Sequence, residues 1–244
     1  MNTLAVILAR ANSQGLPGKH LLPLLGRPVI SYTFEHARAA RSLSRVVVSS
    51  DCTEVRRLGA AAGFETIARP AHLATADASV QDVMLHAMET VESRSAFRAD
   101  ALVVLYGNVP VRPAAAIDAA VRALQETGCD SVRSFCPVGK WHPAWMSELD
   151  GSLVKPLHAG SIHRRQDLSP LFLHDGAVVA ISRAAMLTAR DNPADPHAFF
   201  GSDRRGFRVE MGDTVEVDHT RDLYWAEAVL RETRSDRHWI RMAS

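Results

Sequence analysis

Apolar runs alternate with helical patterns through the first half of the chain, and this alternation constrains the fold more than any other feature of the sequence. Short runs of apolar residues bounded by turn residues predict buried strands, and the longer amphipathic stretches between them predict helices. The predicted strands cover 4–9, 45–49, 64–67 and 101–105. The predicted helices cover 29–40, 53–62, 79–91 and 114–127, with Gly63 and Gly128 as stop signals.

Strands that alternate with helices predict an α/β fold, with a doubly wound, mostly parallel sheet and helices on both of its faces. In open sheets of this Rossmann-like kind, ligands bind outside the C-terminal ends of the strands. The loops that follow Ala9, Ser49 and Leu105 are therefore the first places to look for a site.

The alternation fails from about 137 to 170, where tryptophans, prolines and short strand-like pieces follow one another without helical periodicity. This stretch is interpreted as an inserted arm, at about 137–176. Beyond it the pattern predicts a strand over 176–182, a short helix from Arg183, an edge strand over 207–210 and a final helix over 219–233. We find no internal repeat or linker, so we expect a single domain over 1–244 that carries the arm.

Composition excludes several classes of protein. The 244 residues are 47% hydrophobic and 23% charged, as expected of a globular protein, and the net charge of +1 gives no reason to expect nucleic acid. No apolar run is long enough to span a bilayer, so we expect a cytoplasmic protein without membrane contact. The three cysteines form no C-x-x-C pair and predict neither a disulfide framework nor a zinc site.

The loop after the first strand, ARANSQGLPGKH (Ala9–His20), carries the strongest chemical pattern. Its spacing fits neither a Walker A motif nor G-x-G-x-x-G. Gly15 and Gly18 allow the backbone to turn N–H groups toward a ligand, and Arg10 and Lys19 add positive charge, an arrangement that suits a triphosphate. The alternative is a surface turn with solvated cations.

The order Arg-x-x-Ser-x-Gly-x-Pro-Gly-Lys in this loop resembles the signature loop of the acylneuraminate cytidylyltransferase (CMP-sialic acid synthetase) family. Nearly the whole chain takes part in the resemblance. Similar segments are VVVSSDCTEV (46–55), RPAHLATADASVQDVMLHAME (69–89), HRRQDLSPLFLHDGAVVAISR (163–183) and FRVEMGDTVEVDHTRDLYWAEAVL (207–230).

The resemblance implies a nucleotidyltransferase that transfers CMP from CTP to a carboxylated sugar acid, with release of pyrophosphate. It also implies a homodimer with a dimerisation-type arm, in which Trp141 and Trp145 are candidates for a subunit interface.

The resemblance also implies the nucleotide contacts. Arg10 and Lys19 would hold the CTP phosphates. The further nucleotide contacts implied are Ala9, Ser13, Gln14, Gly15, Arg69, Ser79 and Asn108. The alternative for Arg69 is a cation that flanks a helix, and neighbouring Asp77 is a candidate cap for that helix.

The family closes its site with two aspartates one residue apart, and this chain has Glu216 and Asp218 in VEVDH. If this segment is a strand, alternation places both carboxylates on one face, where they could share Mg²⁺. Asp218 is the stronger candidate and joins Arg10 and Lys19 as a predicted catalytic residue. The alternative for Asp218 is the N-cap of the last helix.

The acceptor side departs from the family. LYGNVPVRP (105–113) has Tyr106 where sialic acid enzymes usually have glutamine, and it resembles a loop of sugar-phosphate uridylyltransferases in which Asn108 replaces a metal-binding aspartate. The predicted acceptor contacts are Tyr106, Arg164, Arg165, Asp175, Phe199 and Phe200. For the two phenylalanines the alternative is a core or a dimer seam. Two other functions stay open: a related cytidylyltransferase for another sugar acid or a phosphonate, and a catalytically silent nucleotide-binding protein.

Overall fold

Strands and helices alternate along the chain in the computed structural model, which describes residues 1–11, 13–158, 160 and 162–242, with side chains through 233. In chain order the strands are β1 (Thr3–Leu8), β2 (Pro23–Leu24), β3 (Arg27–Pro28), β4 (Arg45–Ser50), β5 (Glu65–Ala68), β6 (Ala101–Tyr106), β7 (Ser131–Pro137), β8 (Ser147–Asp150), β9 (Leu153–Pro156), β10 (Phe172–Ser182) and β11 (Arg204–Arg208). The α-helices are α1 (Ile30–Ala39), α2 (Thr53–Ala61), α3 (Val80–Arg94), α4 (Ala116–Thr127), α5 (Arg183–Ala189) and α6 (Thr220–Met242).

A seven-stranded sheet with the order β11-β7-β10-β6-β1-β4-β5 forms the centre of the molecule. Within it β10 runs antiparallel to β6 and β7, and the other neighbouring pairs are parallel. The predicted α/β fold with a mostly parallel sheet is confirmed. Because β1, β4 and β6 are parallel, their C-terminal ends meet at one edge of the sheet.

Helices cover both faces of this sheet because successive side chains of a strand point to opposite sides. On one face Leu4, Val6 and Leu8 of β1 pack in a buried cluster with residues of α3 and α5. On the other face Ala5 and Ile7 pack with residues of α1, α2 and α4. The strand β1 is therefore buried on both sides, which explains its uninterrupted apolar sequence.

The C-terminal half of the sheet differs from the prediction. Strand β7 was not predicted, since its sequence SVRSFCP interrupts the apolar pattern with serine and arginine. It is nevertheless an interior strand between β10 and β11, and Ser134 is buried there because its hydroxyl donates to Asp175 Oδ1 at 2.5 Å. A tertiary hydrogen bond thus permits a polar residue that the local pattern counted against a strand.

Two strand boundaries also change. β10 begins at Phe172, so the last residues of the predicted arm belong to the central sheet. The predicted edge strand over 207–210 lies at the edge of the sheet, but it covers Arg204–Arg208 and pairs in parallel with β7. The charged arginines at 204, 205 and 208 give this strand no apolar pattern, so a pattern of hydrophobicity does not predict its bounds. An edge strand tolerates such charged residues.

The stretch between β7 and β10 contains the antiparallel hairpin β8–β9, which lies outside the central sheet. Both strands are exposed along their whole length, including the cross-strand pair Leu149 and Val154 at 73% and 58% exposure. Ala159 and Ser161 of this stretch lie outside the described residues. A role of this arm in dimerisation stays a prediction.

The helix α6 packs its apolar residues against the small hairpin β2–β3 and the segments around Val111 and Val215. This third cluster holds the segment before α6 against the C-terminal edge of the sheet. In the part of the chain that the structure describes, no helix is both long and apolar enough to cross a membrane.

Candidate active site

A cavity of about 330 Å³ opens at the C-terminal ends of β1 and β6. Its walls come from the loop after β1, the start of α3, the loop after β6 and the segment before α6. Its lining residues are Leu8, Arg10, Ser13, Gln14, Gly15, Lys19, His20, Arg69, Ala78, Ser79, Val80, Val83, Tyr106, Asn108, Glu216 and Asp218. The structure therefore brings together most of the residues that the sequence predicted for a nucleotide site.

The loop after β1 is held in place by hydrogen bonds to neighbouring loops. The backbone N–H of Ala11 donates to Asp51 Oδ1 at 2.8 Å, which ties this loop to the turn after β4. Arg10 Nη1 donates to the carbonyl oxygen of Thr75 at 2.9 Å, which ties it to the segment before α3. The position of the loop is thus set by residues distant in sequence.

The two glycines of the loop serve different purposes. Gly18 has φ +67°, a left-handed conformation that favours glycine, and it begins a short 3₁₀ helix that carries Lys19. Gly15 has no positive φ. A Cβ atom at Gly15 would lie 2.8 Å from the carbonyl oxygen of Asp218, so glycine is needed there for close approach of two backbones.

Lys19 and Asp218 meet in the cavity, with Lys19 Nζ 2.5 Å from Asp218 Oδ1. The lysine side chain is 11% exposed and the aspartate side chain 48%. Asn108 lies next to this pair and donates through Nδ2 to Glu216 Oε1 at 3.0 Å and to Asp218 Oδ1 at 3.3 Å. The amide of Asn108 therefore orients both carboxylates by donating hydrogen bonds to them.

The two carboxylates are close enough to affect one another. Burial, and then the charge of Asp218, raise the pKa of Glu216, while the hydrogen bond from Asn108 lowers it. Val215 forms an isolated bridge with Val111, and no strand is assigned at 216–218, so strand alternation is not what brings the carboxylates together. They converge because the Asn108 amide bonds both of them.

The alternative role of Asp218 as an N-cap is not supported by the hydrogen bonds. The helix α6 begins at Thr220, and the backbone N–H groups of Asp218 and His219 both donate to Asp222 Oδ2, at 2.8 and 2.7 Å. Asp222 thus accepts from the two N–H groups that directly precede this helix, as the acidic residue of a capping box does at the N-cap. The side chain of Asp218 is left to face Lys19, Asn108 and the cavity.

The donor set of the cavity suits a magnesium ion. Mg²⁺ prefers oxygen ligands and is commonly held by one or two carboxylates together with phosphates and water. Asp218 and Glu216 supply two carboxylates; burial and then the charge of Asp218 raise the pKa of Glu216, and a cation between them would favour its anionic form. Among the described residues no group of three or more His, Cys, Asp or Glu could hold a metal ion, so an ion at these two acids would need further ligands from phosphate or water.

Arg69 and His20 line the base of the cavity. Arg69 is buried, and its guanidinium donates to the hydroxyl and carbonyl oxygens of Ser49 at 3.2 and 2.8 Å. Burial lowers the pKa of Arg69 to about 10, so the side chain stays charged at neutral pH. The side chain is thus a buried cation at the cavity wall and not a solvated flanking residue.

Sequence reasoning gave His20 no role. Burial, and then the charges of Lys19 and Arg69, lower the pKa of His20 to about 3, so the ring is neutral. Gly107 lies against it, since a Cβ there would be 3.0 Å from His20 Cδ2. The signal for this residue was its place directly after Lys19 in the loop.

Ser79 both lines the cavity and caps α3, because its hydroxyl accepts from the backbone N–H of Asp82 at 3.0 Å. Asp77, the candidate cap, is exposed, and the side chain at the N-cap position is that of Ser79. Tyr106 lines the cavity at the end of β6, and burial raises the pKa of its phenol to about 12.

The sequence analysis also did not identify Arg112, which follows β6 and lies outside the cavity lining. It is buried and donates to the carbonyl oxygen of Ala177 at 2.5 Å, and it lies 2.9 Å from His36 Nδ1. This bond joins the loop after β6 to β10. An arginine within the apolar sequence VPVRP at a strand end is the signal that could have indicated it.

Several predicted residues do not line the cavity. Ala9 is buried, and its backbone N–H donates to Ser49 O at 3.2 Å. Arg164 pairs with Asp167 at 2.8 Å on the surface, and Arg165 lines a separate cavity beside Arg208. The described monomer therefore does not bring these two arginines to the nucleotide loop.

Asp175, Phe199 and Phe200 also lie apart from the cavity lining. The carboxylate of Asp175 is engaged by the hydroxyls of Ser134 and Thr214, each at 2.5 Å. The two phenylalanine rings lie 4.2 Å apart in the buried cluster beneath α3 and α5. Their position agrees with the core alternative.

The assembled cavity has cations on the loop after β1 and carboxylates on the segment before α6. Such an arrangement can hold a polyphosphate by direct charge and can hold a divalent cation beside it. It can therefore position a reacting phosphoryl group and offset charge that develops on it.

Comparisons with known proteins agree with this chemistry. A family model described as cytidylyltransferase matches residues 4–234. The chain is 28% identical over 226 residues to the N-acylneuraminate cytidylyltransferase of Streptococcus agalactiae, which covers 91% of this chain and 51% of that protein. It is 27% identical over 199 residues to the CMP-N,N'-diacetyllegionaminic acid synthase of Legionella pneumophila, covering 80% of this chain and 84% of that protein.

Among solved structures, that of CMP:2-keto-3-deoxy-manno-octonic acid synthetase complexed with CTP is similar, with a TM-score of 0.74 and 21% identity. The match covers 96% of this chain and 100% of that one, and it shows a shared fold. The chain spans about half the length of the streptococcal relative.

Proposed function

The chain belongs to the cytidylyltransferase family, and we propose that it transfers CMP from CTP to a carboxylated sugar acid of the sialic acid type, releasing pyrophosphate. The observation that carries the proposal is the meeting of Lys19 and Asp218 in one cavity, beside a loop that is already fixed. The named activities of the two curated relatives support the same reaction class.

In this reaction a hydroxyl of the acceptor attacks the α-phosphorus of CTP in line, and pyrophosphate leaves. The protein positions the reactants and offsets negative charge, so no covalent nucleophile is needed. Arg10 and Lys19 would bind the phosphates, with Ser13, Gln14 and Gly15 as loop contacts. Arg69 and Ser79, which also line the cavity, would contact the cytosine and ribose.

Asp218 and Glu216 would hold the magnesium ion that accompanies the nucleotide. When bound, the ion would offset negative charge on the phosphates. The Asn108 amide donates to both carboxylates, and burial, followed by the charge of Asp218, raises the pKa of Glu216.

For the acceptor, a second candidate competes with a sugar acid of the sialic acid type. Relatives and structural neighbours are named for acylneuraminic, legionaminic and octulosonic acids. Tyr106 and Asn108 stand at positions where this chain departs from sialic acid enzymes. Both carboxylate oxygens of Asp175 are already hydrogen-bonded within the protein. These features favour, as the second candidate, a cytidylyltransferase for another sugar acid or a phosphonate.

Pyrophosphate release from CTP with a panel of acceptors tests the proposal. The panel contains N-acetylneuraminate, N,N'-diacetyllegionaminate, 3-deoxy-manno-octulosonate and a hydroxyalkyl phosphonate, with UTP as the control nucleotide. We expect acceptor-dependent release with CTP and at least one nonulosonate. Release only with the octulosonate or the phosphonate would support the second candidate, and CTP binding without any release would support a silent nucleotide-binding protein.

We also propose that the protein is a cytoplasmic homodimer in which the arm contacts a second copy. Support comes from the apolar side chains that the hairpin exposes, including Leu149, Leu153 and Val154. Light scattering on the intact protein should give the mass of a dimer. The double variant Leu149→Glu and Val154→Lys exchanges a cross-strand apolar pair for an opposite-charge pair, and it should be monomeric while the hairpin is preserved. A monomeric wild type would contradict the proposal.

A further inference from the structure

Arg112, six residues after the end of β6, is buried and joins three elements of the fold. Its Nε donates to the carbonyl oxygen of Ala177 on β10 at 2.5 Å, and its Nη2 donates to the carbonyl oxygen of Tyr106 on β6 at 3.4 Å. Its Nη1 lies 2.9 Å from His36 Nδ1 on α1, and since a guanidinium only donates, Nδ1 is the acceptor. The guanidinium therefore holds β6, β10 and α1 in one arrangement.

The charge of Arg112 is costly to bury. Its acceptors are two carbonyl oxygens and an imidazole, which burial keeps neutral by lowering the pKa of His36 to about 3. Burial also lowers the pKa of Arg112 to about 10, against the charges of Asp175 and Glu216, so the guanidinium stays charged at neutral pH. A buried cation that bonds only neutral groups recovers little of the free energy lost on leaving water. Its contribution is therefore to be found in what the bonds hold in place.

The bond to Ala177 fixes the backbone against which Glu216 lies. Residues 175–178 fall in the register shift of β10 against β7, so this stretch departs from regular pairing. Gly176 within it has φ +80°, a left-handed conformation that favours glycine. A Cβ atom at Gly176 would lie 3.3 Å from Glu216 Oε2, so the carboxylate lies close to this backbone. Arg112 thus anchors the irregular segment on one side of the Glu216 carboxylate.

The loop after β6 lies on the other side of this carboxylate. Asn108 Nδ2 donates to Glu216 Oε1 at 3.0 Å. The carbonyl oxygen of Asn108 accepts from the N–H of Val217 at 2.8 Å, and the carbonyl oxygen of Val111 accepts from the N–H of Val215 at 3.2 Å. The residues before and after the glutamate are therefore both bonded to this loop. The hydrogen bond from the arginine to the end of β6 closes the same loop.

We propose that Arg112 is a positioning residue that holds Glu216 toward the cavity, because it fixes Gly176 on one side of the carboxylate and the loop of Asn108 on the other. Glu216 lines the cavity and Arg112 does not, so the arginine acts through the glutamate. The inference rests on the proposed function, in which Glu216 helps to hold the magnesium ion, and it adds the residue that keeps Glu216 in place. Groups that orient a metal ligand from outside the site typically contribute about 10- to 100-fold to metal affinity or activity.

Mg²⁺ titrations of CTP binding to the intact protein, without acceptor, test this role. Isothermal titration calorimetry gives the Mg²⁺ concentration at which CTP affinity reaches half of its metal-dependent increase, and it requires no turnover. Arg112→Lys keeps a positive charge but cannot reproduce the planar set of donors. We expect this variant to raise the Mg²⁺ concentration roughly tenfold, while the affinity for CTP in EDTA changes less than about twofold.

A double-mutant cycle with Glu216→Gln separates positioning from a general loss of structure. Glu216→Gln alone should raise the same Mg²⁺ concentration, because an amide oxygen is a weaker ligand than a carboxylate. If Arg112 acts through Glu216, Arg112→Lys should add less than about a twofold change in the Glu216→Gln background. A merely structural arginine would give the same fold-change in both backgrounds.

Arg183→Met is the matched control, because Arg183 is a largely buried arginine that does not line the cavity. Its guanidinium donates to Glu92 Oε2 at 2.9 Å and to the carbonyl oxygen of Ala99 at 3.1 Å. The variant should lower the free energy of unfolding, measured with urea, and leave the Mg²⁺ concentration unchanged. If Arg112→Lys does not fold, as judged by circular dichroism, His36→Leu removes only the acceptor of Arg112 Nη1 and should give a smaller rise.

Failure of the inference and failure of the proposed function give different results. If the wild type releases pyrophosphate with an acid acceptor, and Arg112→Lys leaves the Mg²⁺ concentration unchanged or raises it equally in both backgrounds, the inference is overturned and the proposed function stands. An equal rise in Arg183→Met, or no rise in Glu216→Gln, overturns the inference in the same way. If the wild type neither binds CTP nor releases pyrophosphate, the proposed function is overturned and the inference with it.

Discussion

Two regions of the sheet, one beside the cavity and one outside its lining, differ in how their polar side chains are satisfied. On the side of β1 and β4, Arg10, Asp51 and Arg69 all form hydrogen bonds to backbone groups of neighbouring loops. On the side of β7 and β10, buried nitrogen atoms of Arg133 and His174 have no partner within the described chain. The polar groups beside the cavity are thus satisfied in the folded protein, whereas two buried nitrogen atoms of β7 and β10 are not.

This difference has an energetic consequence. A loop that the fold already holds loses little conformational freedom when it binds, so more of its interaction energy is available for affinity. Unsatisfied buried groups instead lower the stability of the protein. We therefore expect substitutions in the region of β1 and β4 to act mainly on the use of CTP.

Lys19→Ala gives the largest expected effect and tests this expectation. Removal of a fixed charge next to the phosphates should lower kcat/KM for CTP roughly 100-fold, or about 2.7 kcal/mol, because the charge acts in the ground state and in the transition state. The KM for the acceptor should change little. Initial rates at varied CTP and acceptor concentrations measure both quantities.

Lys155→Ala is the control, since Lys155 lies on the exposed hairpin and pairs with Asp150. It should leave the kinetics unchanged. If Lys19→Ala altered mainly the acceptor KM, the assignment of the loop after β1 to CTP would be wrong.

The next largest expected effect is the contribution of His20 to the pH dependence of the free energy of unfolding. Its pKa is about 3 in the folded state and ordinarily 6.5, so only the unfolded state takes up a proton as pH falls below 6.5. Stability is therefore full above pH 6.5 and is lost as pH falls toward 3, by roughly 2 kcal/mol at pH 5. His36, whose pKa burial also lowers to about 3, contributes in the same direction.

Urea unfolding of His20→Gln at pH 8 and pH 5 measures this term. The variant should lose about 2 kcal/mol less than the wild type between the two pH values. The same substitution at the exposed His72 controls for the loss of one imidazole. An unchanged pH dependence in His20→Gln would show that His20 is not held as a buried neutral ring.

The smallest expected effects are those of substitutions at Asp218 and Asp222, which should change different properties, the Mg²⁺ dependence and the stability. Asp218→Asn should raise the Mg²⁺ concentration for half-maximal activity roughly tenfold, with little change in the free energy of unfolding, because an amide is a weaker ligand than a carboxylate. Asp222→Asn should lower the free energy of unfolding by about 1 kcal/mol through the start of α6, with normal Mg²⁺ dependence. Magnesium titrations and urea unfolding of both variants check the pair, and exchanged phenotypes would contradict the assignment.

The sequence alone determined the sheet strands of the first half and the loop that carries Arg10 and Lys19. These features follow from local patterns, since buried parallel strands need continuous apolar runs and a turn at a strand end needs glycine. The close approach of Gly15 to Asp218, by contrast, joins segments about two hundred residues apart, and no local pattern contains it.

Only the tertiary structure decided the placement of β7 and the core position of Phe199 and Phe200. It also decided that Arg164 pairs with Asp167 and that Arg165 lines a separate cavity, so that neither lines the cavity at the loop after β1. Periodicity predicts whether a residue faces the core, but which side chains share a site depends on strand order and register. Those are set by packing between distant segments, which is why the acceptor side could not be assigned from sequence.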